Sequence, residues 1–375
     1  MAELFRIDGP WADAITLHSA SVLAARRGGD RHGQAGALTD LSRVRLLSGD
    51  HAAAARGLAE ALGFYRDLGD RAGQGNVLIY LGISARLTGD YQGCARHLQE
   101  SLGIYRDLGS RRGQANVLNQ LAKLWFVAGD YPAAARDSRE AVDRYRDLGD
   151  RRGQADALAS LGYVCRLAGD YPAAVGNLQE ALGVLRDLGD RRGQADTLTF
   201  LGEARQLTGD LSAAAMELTE AHEIYRDLGS RGGQANTLLQ LGIVRRLTGD
   251  YPAASRDVQQ ALRMFRSLGN RSGELDSLNE AGTQSRDQGD LDKAEAYHHE
   301  ALDPARETGS PWEEGQALKG LGRCAVAAGR TDRAKDLLRQ AVAIFERIGA
   351  PDTDDAAAEL GALSGTSPGP ASVSA

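Results

Sequence analysis

Four lysines, seven histidines and three cysteines are the side chains in this 375-residue sequence on which phosphate, metal or nucleophilic chemistry would rest. A phosphate-cradling loop needs a Gly-Lys pair. Lys123, Lys293, Lys319 and Lys335 follow Ala, Asp, Leu and Ala, which excludes that loop. His298-His299-Glu300 is the nearest approach to a metal-binding helix, yet a second ligand at helical spacing is missing, and the pair reads as a partly exposed helix face. Cys94, Cys165 and Cys324 stand far apart without a CxxC, so neither a disulfide framework nor a zinc site is indicated. Gly365 to Gly369 fits GxSxG in letters, but a nucleophile elbow needs a strand before it and a helix after it. The match lies in a Ser/Pro/Gly-rich tail that supplies neither. Asn270-Arg271-Ser272 matches a glycosylation acceptor, without meaning in a chain that reads as cytoplasmic. No catalytic, cofactor or metal residue is assigned, and the chain reads as a non-enzyme.

The remaining side chains are arranged by a period. From Arg31 to Ala350 a 40-residue unit recurs eight times without insertion or deletion, beginning at 31, 71, 111, 151, 191, 231, 271 and 311. Each half-unit places apolar residues three and four apart, the signature of an amphipathic helix rather than a strand. Every unit ends on glycine, from Gly69 to Gly349, and the units open from Asp30, Asp70, Ser110, Asp150, Asp190, Ser230, Asn270 and Ser310. Glycine supplies the left-handed residue that stops one helix, and the next side-chain oxygen accepts from free N–H groups of the following one. Gly49-Asp50 through Gly289-Asp290 repeat the device at mid-unit, and Pro132, Pro172 and Pro252 fall in a first helical turn. Turns this short force antiparallel helices A and B. Leu38 to Leu318 and Leu41 to Leu241 recur in helix A, often with a following glycine such as Gly162; Ala54 to Ala334 and Ala61 to Ala341 recur in helix B. Small residues let helix axes approach, and leucines fill the space between them.

The pattern Leu161-Gly162, then Ala174 seven residues before Ala181, resembles the tetratricopeptide repeat (TPR) in the 40-residue form of kinesin light chains. The resemblance covers residues 31–350 and implies an all-α fold, a right-handed α-solenoid whose helices A line an inner, concave groove. The family's tyrosine near the end of helix A is Cys165 here, and its closing proline is Arg186. Units reading GDRRGQA, then RLTGDYPAA, then ALGIYRDLGD also resemble the C-terminal arrays of actinobacterial STAND/NB-ARC-type regulatory NTPases. That resemblance implies a sensor or docking arm that restrains an ATPase module, here absent.

One chain with eight copies is its own comparison, and the copies diverge on one stripe of helix A. Relative to Leu161 the variable positions lie two residues before, and two and five after. The first column includes Ile79, Asn119, Thr199 and Leu239; the second Ile83, Lys123, Tyr163, Glu203 and Ile243; the third Arg86, Phe126, Arg166, Gln206 and Arg246. Spacings of four and three put them on one face. Apolar members are poor choices for bare solvent, whereas the exposed Arg66, Arg106, Arg146, Arg186 and Arg226 of helix B do not vary. The stripe reads as a partner-binding groove. Arg86, Arg166, Arg246 and Arg286 favour the helix C-terminal dipole in any case; their alternative use is to hold an acidic peptide or carboxylate. The Lys/Asn clamp by which some family members hold a terminal carboxylate is echoed only by Asn119 and Lys123.

A net charge of −7 and a pI near 5.6 argue against a general binder of nucleic acid or anionic membranes. Apolar runs are too short to span a bilayer, no secretory signal opens the chain, and the arginine-rich, alanine-rich usage suggests a bacterial source. Residues 1–10 form an N-terminal segment, and 11–30 align with a helix B that lacks its helix A, as in the detached arm of a larger regulator. Residues 351–363 read as a capping helix, and 364–375 as a disordered tail. Pro304 is expected to kink or shorten its helix. The expected role is a scaffold or sensor arm docking a protein or peptide, with a STAND-type NTPase among the candidate partners. The alternative is a sensor of a small-molecule inducer.

Overall fold

The computed structural model describes residues 11–350 and 352–364. The segment 1–10 and the tail from 365, with the GxSxG match, lie outside the described residues. The chain is all-α: the described residues form 18 helices and no strand. The first nine are α1 (Trp11–Arg27), α2 (Arg31–Ser48), α3 (His51–Asp67), α4 (Arg71–Leu87), α5 (Tyr91–Asp107), α6 (Arg111–Val127), α7 (Tyr131–Asp147), α8 (Arg151–Leu167) and α9 (Tyr171–Asp187). They continue as α10 (Arg191–Leu207), α11 (Leu211–Asp227), α12 (Arg231–Leu247), α13 (Tyr251–Leu268), α14 (Arg271–Asp287), α15 (Leu291–Thr308), α16 (Pro311–Ala327), α17 (Thr331–Ile348) and α18 (Thr353–Ser364).

The turns are made as the Gly-Asp pairs require. A glycine with positive φ stands every twenty residues from Gly29 to Gly349, and Gly69 at +67° shows why: an L side chain rarely adopts that backbone. Asp70 then accepts from the Gly73 N–H at 2.8 Å, and Asp130 from Ala133 at 3.0 Å. Ser230 and Ser310 begin helices without a side-chain cap bond, which departs from the expectation for these two serines. α15 runs unbroken through Pro304 to Thr308, so the expected shortening does not occur. Burial of Leu302 and Ala305 on either side holds that turn in place.

The chain divides into two compact units, Met1–Ala204 and Arg205–Ala375. Each is an α-solenoid of antiparallel pairs: α2/α3, α4/α5, α6/α7 and α8/α9 in the first, α12/α13, α14/α15 and α16/α17 in the second. Leu58, Leu98, Leu178 and Leu218 fill the pair interiors and are fully buried. Gly162 permits a close approach, since a Cβ there would meet Leu178 Cγ at 2.6 Å. Two further devices join one repeat to the next, and a third ties the two helices of one repeat together. The Tyr65 ring sits where a Gly73 side chain would be; Gln74 Nε2 donates to the Tyr65 carbonyl at 3.1 Å; and Arg71 bridges to Asp107 at 3.3 Å. The same three recur along the array, as with Gly113 under Tyr105, Gln114 to the Tyr105 carbonyl, and Arg151 to Asp187 within its own repeat.

Candidate binding stripe on the A helices

Helix A of one repeat packs against helix A of the next: α2, α4, α6 and α8 in the first unit, α12, α14 and α16 in the second. The first variable column lies in this seam. Ile79, Asn119 and Thr199 are buried, as are Leu239, Asn279 and Lys319 in the second unit. Ile79 and Leu239 belong to core clusters, and the Thr199 hydroxyl donates to the Ala195 carbonyl of its own helix. The second and third columns, two and five residues after Leu161 and its equivalents, are half-buried at Ile83, Arg86, Lys123, Phe126, Tyr163, Arg166 and Glu203. These side chains form the accessible part of the stripe.

In the first unit they make contacts from one A helix to the next. The Phe126 ring lies 5.0 Å from Tyr163, and Tyr163 lies 4.7 Å from Phe200, an aromatic ladder across α6, α8 and α10. Tyr131 approaches Phe126 at 6.2 Å. Arg166 stacks on Tyr163 at 4.8 Å and reaches Glu203 at 3.4 Å. Burial raises the pKa of Glu203 and Arg166 opposes it. Burial likewise raises Tyr163, with Arg166 opposing. Lys123 donates to both oxygens of Asp156 at 3.0 and 3.3 Å, and Asn119 Nδ2 donates to Asp156 at 2.5 Å. Burial disfavours the Asp156 anion, yet Lys123 and Asn119 hold its pKa below the ordinary value. Arg86 makes none of these bonds; burial lowers its pKa. Ile83 packs against two core clusters at once.

The second unit holds Gln206, Leu239, Ile243 and Arg246. Gln206 is half-buried. Ile243 packs on the cluster around Leu239 and Phe265. Arg246 bonds Glu280 at 2.7 Å and Asp287 at 3.0 Å; burial opposes its charge, and the two carboxylates raise its pKa despite that. Arg286 also reaches Asp287, at 2.7 Å.

The invariant arginines of helix B have a structural reason not to vary. Arg66 bonds Glu100 of the next repeat at 3.0 Å, Arg146 bonds Glu180 at 2.9 Å, and Arg266 bonds Glu300 at 2.6 Å. His298 departs from the exposed face expected for it. It is buried at 1% exposure in the position most other repeats give to leucine, while His299 is exposed. Burial pushes the three thiols up, Cys94 to about 11, so each stays protonated. Among the described residues no cluster of His, Cys, Asp or Glu is arranged to hold a metal, and no helix is long and apolar enough to cross a membrane.

Two members of the stripe escaped the three-column reading. Phe200 stands one residue before Leu201, where the other repeats carry Asp40, Tyr80, Gln120, Ser160, Gln240, Glu280 and Gly320. That column varies as much as the three chosen, so the same comparison of copies contained the signal. Asp156 lies five residues before Leu161, where the copies alternate mainly between Asn and Asp and so look invariant in character.

Known proteins agree with the architecture. A crystal structure of a STAND protein with a tetratricopeptide repeat sensor from Pyrococcus horikoshii superposes with a TM-score of 0.62 at 14% identity, over 90% of this chain. This chain spans 52% of that protein. A Rap protein in complex with competence and sporulation factor gives 0.62 at 13% identity, over 88% of this chain and 98% of the other. The quorum sensor NprR from B. thuringiensis, in its apo form, gives 0.66 at 10% identity, over 89% and 98%. At these identities the likeness is one of fold. No curated protein matches by sequence. A family model described as tetratricopeptide repeat matches residues 113–187, 193–267 and 274–347, more than half of the chain. With helix pairs, seams and spacing all in that pattern, the chain belongs to the tetratricopeptide repeat family.

Proposed function

We propose that this chain is a non-enzymatic scaffold or sensor arm that docks a peptide segment of a partner protein on the A-helix stripe. The observation that carries the reading is the Phe126–Tyr163–Phe200 ladder, partly open on a layer whose first-column apolar residues, Ile79 and Leu239, are closed in the seam. Partly solvated aromatic rings on a rigid layer bind well because little side-chain entropy is lost on contact. Fold-mates that include a Rap protein in complex with competence and sporulation factor and a quorum sensor support a sensor or docking role. The STAND protein with a repeat sensor supports a regulatory NTPase as the partner class.

The test replaces Phe126 and Tyr163 by alanine together, leaving Ile83 in place because it packs in the core. Affinity capture from the native host, with wild type and variant compared quantitatively, is expected to lose a specific partner while the thermal melt is retained. Capture that is unchanged by the double variant would sink the proposal. The small-molecule reading makes a different forecast in a thermal-shift screen of metabolites: a ligand at about 100 times its Kd adds about 2.7 kcal/mol of stability.

A further inference from the structure

We infer that the stripe of the first unit takes an acidic peptide segment: Arg86 receives a carboxylate, and the Phe126–Tyr163–Phe200 ladder receives an apolar side chain about three residues away. This rests on the binding reading above and names the chemistry of the ligand. The third column holds four arginines, and three are already neutralised. Arg166 has Glu203 at 3.4 Å, Arg246 has Glu280 and Asp287, and Arg286 has Asp287. Arg86 is the exception among the described residues of that column. It is half-buried without a hydrogen bond or ion pair, and only the Cys94 thiol and the Tyr91 phenol, neither of them a carboxylate, bear on its charge.

The repeat register explains the vacancy. Glu203 stands 37 residues after Arg166; the residue at the same offset from Arg86 is Lys123. Lys123 is itself neutralised by Asp156, so no carboxylate remains for Arg86. A guanidinium partly removed from water without an anion is a desolvation cost that an incoming carboxylate offsets with a charge-assisted, bidentate bond. One repeat further on, Phe126 occupies the same column as Arg86 and begins the ladder. A helices packed in contact lie about 8–10 Å apart, and an extended peptide rises about 3.3 Å per residue. Acid and apolar side chain are therefore about three residues apart along the ligand.

The experiment titrates the full chain with fluorescein-labelled, C-amidated Gly/Ser peptides that carry Asp and Phe three residues apart, in either order, read by fluorescence anisotropy. Matched peptides carry Asn in place of Asp. One Asp peptide is expected to bind about 10-fold more tightly than its Asn counterpart, with the gap narrowing at high salt. Arg86→Gln is expected to abolish the gap, and Phe126→Ala with Tyr163→Ala to weaken both peptides. The Asp/Asn comparison on wild type stands whether or not a variant folds. Equal binding of Asp and Asn peptides that still depends on Tyr163 overturns the acidic ligand and leaves the groove reading intact. Binding of neither peptide, or binding indifferent to Phe126 and Tyr163, overturns both.

Discussion

His298 shows what one atypical residue does to an otherwise repetitive core. Its Nδ1 lies 3.1 Å from Asn279 Oδ1, so the neutral ring donates there and leaves Nε2 buried without a partner. Gly282 and Gly320 make room, since a Cβ at either would fall within 2.6 Å of the ring. Burial lowers the pKa of His298 to about 3, and Arg286, Arg323 and His299 push the same way. The folded state thus rejects a proton that the unfolded chain binds near pH 6.5. Stability from this site is complete above about pH 6.5 and falls as pH drops towards 3, by up to about 1.4 kcal/mol per unit. Denaturant titrations across that window should show the slope, and His298→Leu should flatten it. The sequence marks His298 as standing in a mostly leucine position, but its tautomer depends on Asn279, 19 residues away, and its space on glycines 16 and 22 residues away. At the same scale, Gly162→Ala should cost about 1–3 kcal/mol through overpacking on Leu178, measured by the shift in urea midpoint.

At the scale of elements, punctuation was legible and depth was not. Glycines every twenty residues, most of them followed by Asp, Ser or Asn, place nearly all helix ends, because backbone sign and capping are local properties. Which half of the variable stripe is closed is decided by the neighbouring A helix, so Ile79 and Leu239 look like groove residues in sequence and lie in the seam. Pairings such as Arg166 with Glu203 likewise join different helices and leave no trace in either one alone. α18 gives an element-scale prediction. Its end of the chain supplies Asp352 and Asp355 to Lys319 on α16, whose side chain is only 5% exposed, and Glu359 to Arg323. Asp352→Asn with Asp355→Asn should cost about 1–3 kcal/mol, discounted from a fully buried pair because water reaches the carboxylates. Hydrogen exchange should locate the loosening in α16 to α18.

At the scale of the molecule, each unit is held by contacts between neighbours, so damage should stay local. Leu161→Ala removes a side chain 4% exposed and should cost about 2–5 kcal/mol through the cavity it leaves. Faster exchange is expected in α8, α9 and the pairs beside them; uniform loosening along the chain would contradict a nearest-neighbour account. The half-exposed arginine bridges between repeats add little individually, and Arg146→Ala should change stability by less than about 1 kcal/mol.

The recurring joint has one more consequence. If residues 71–110 were cut out whole, Tyr65 would meet Gly113 in place of Gly73, Gln114 would reach the Tyr65 carbonyl, and Arg66 would find Glu140 where Glu100 had been. Each of these three joint contacts has a like-for-like replacement forty residues on, although Arg43 would find Gln120 where the Tyr80 ring had been. The joints, unlike the groove residues, therefore behave as interchangeable parts: removing or adding a whole unit would re-space the rungs a ligand meets while reusing the same joint.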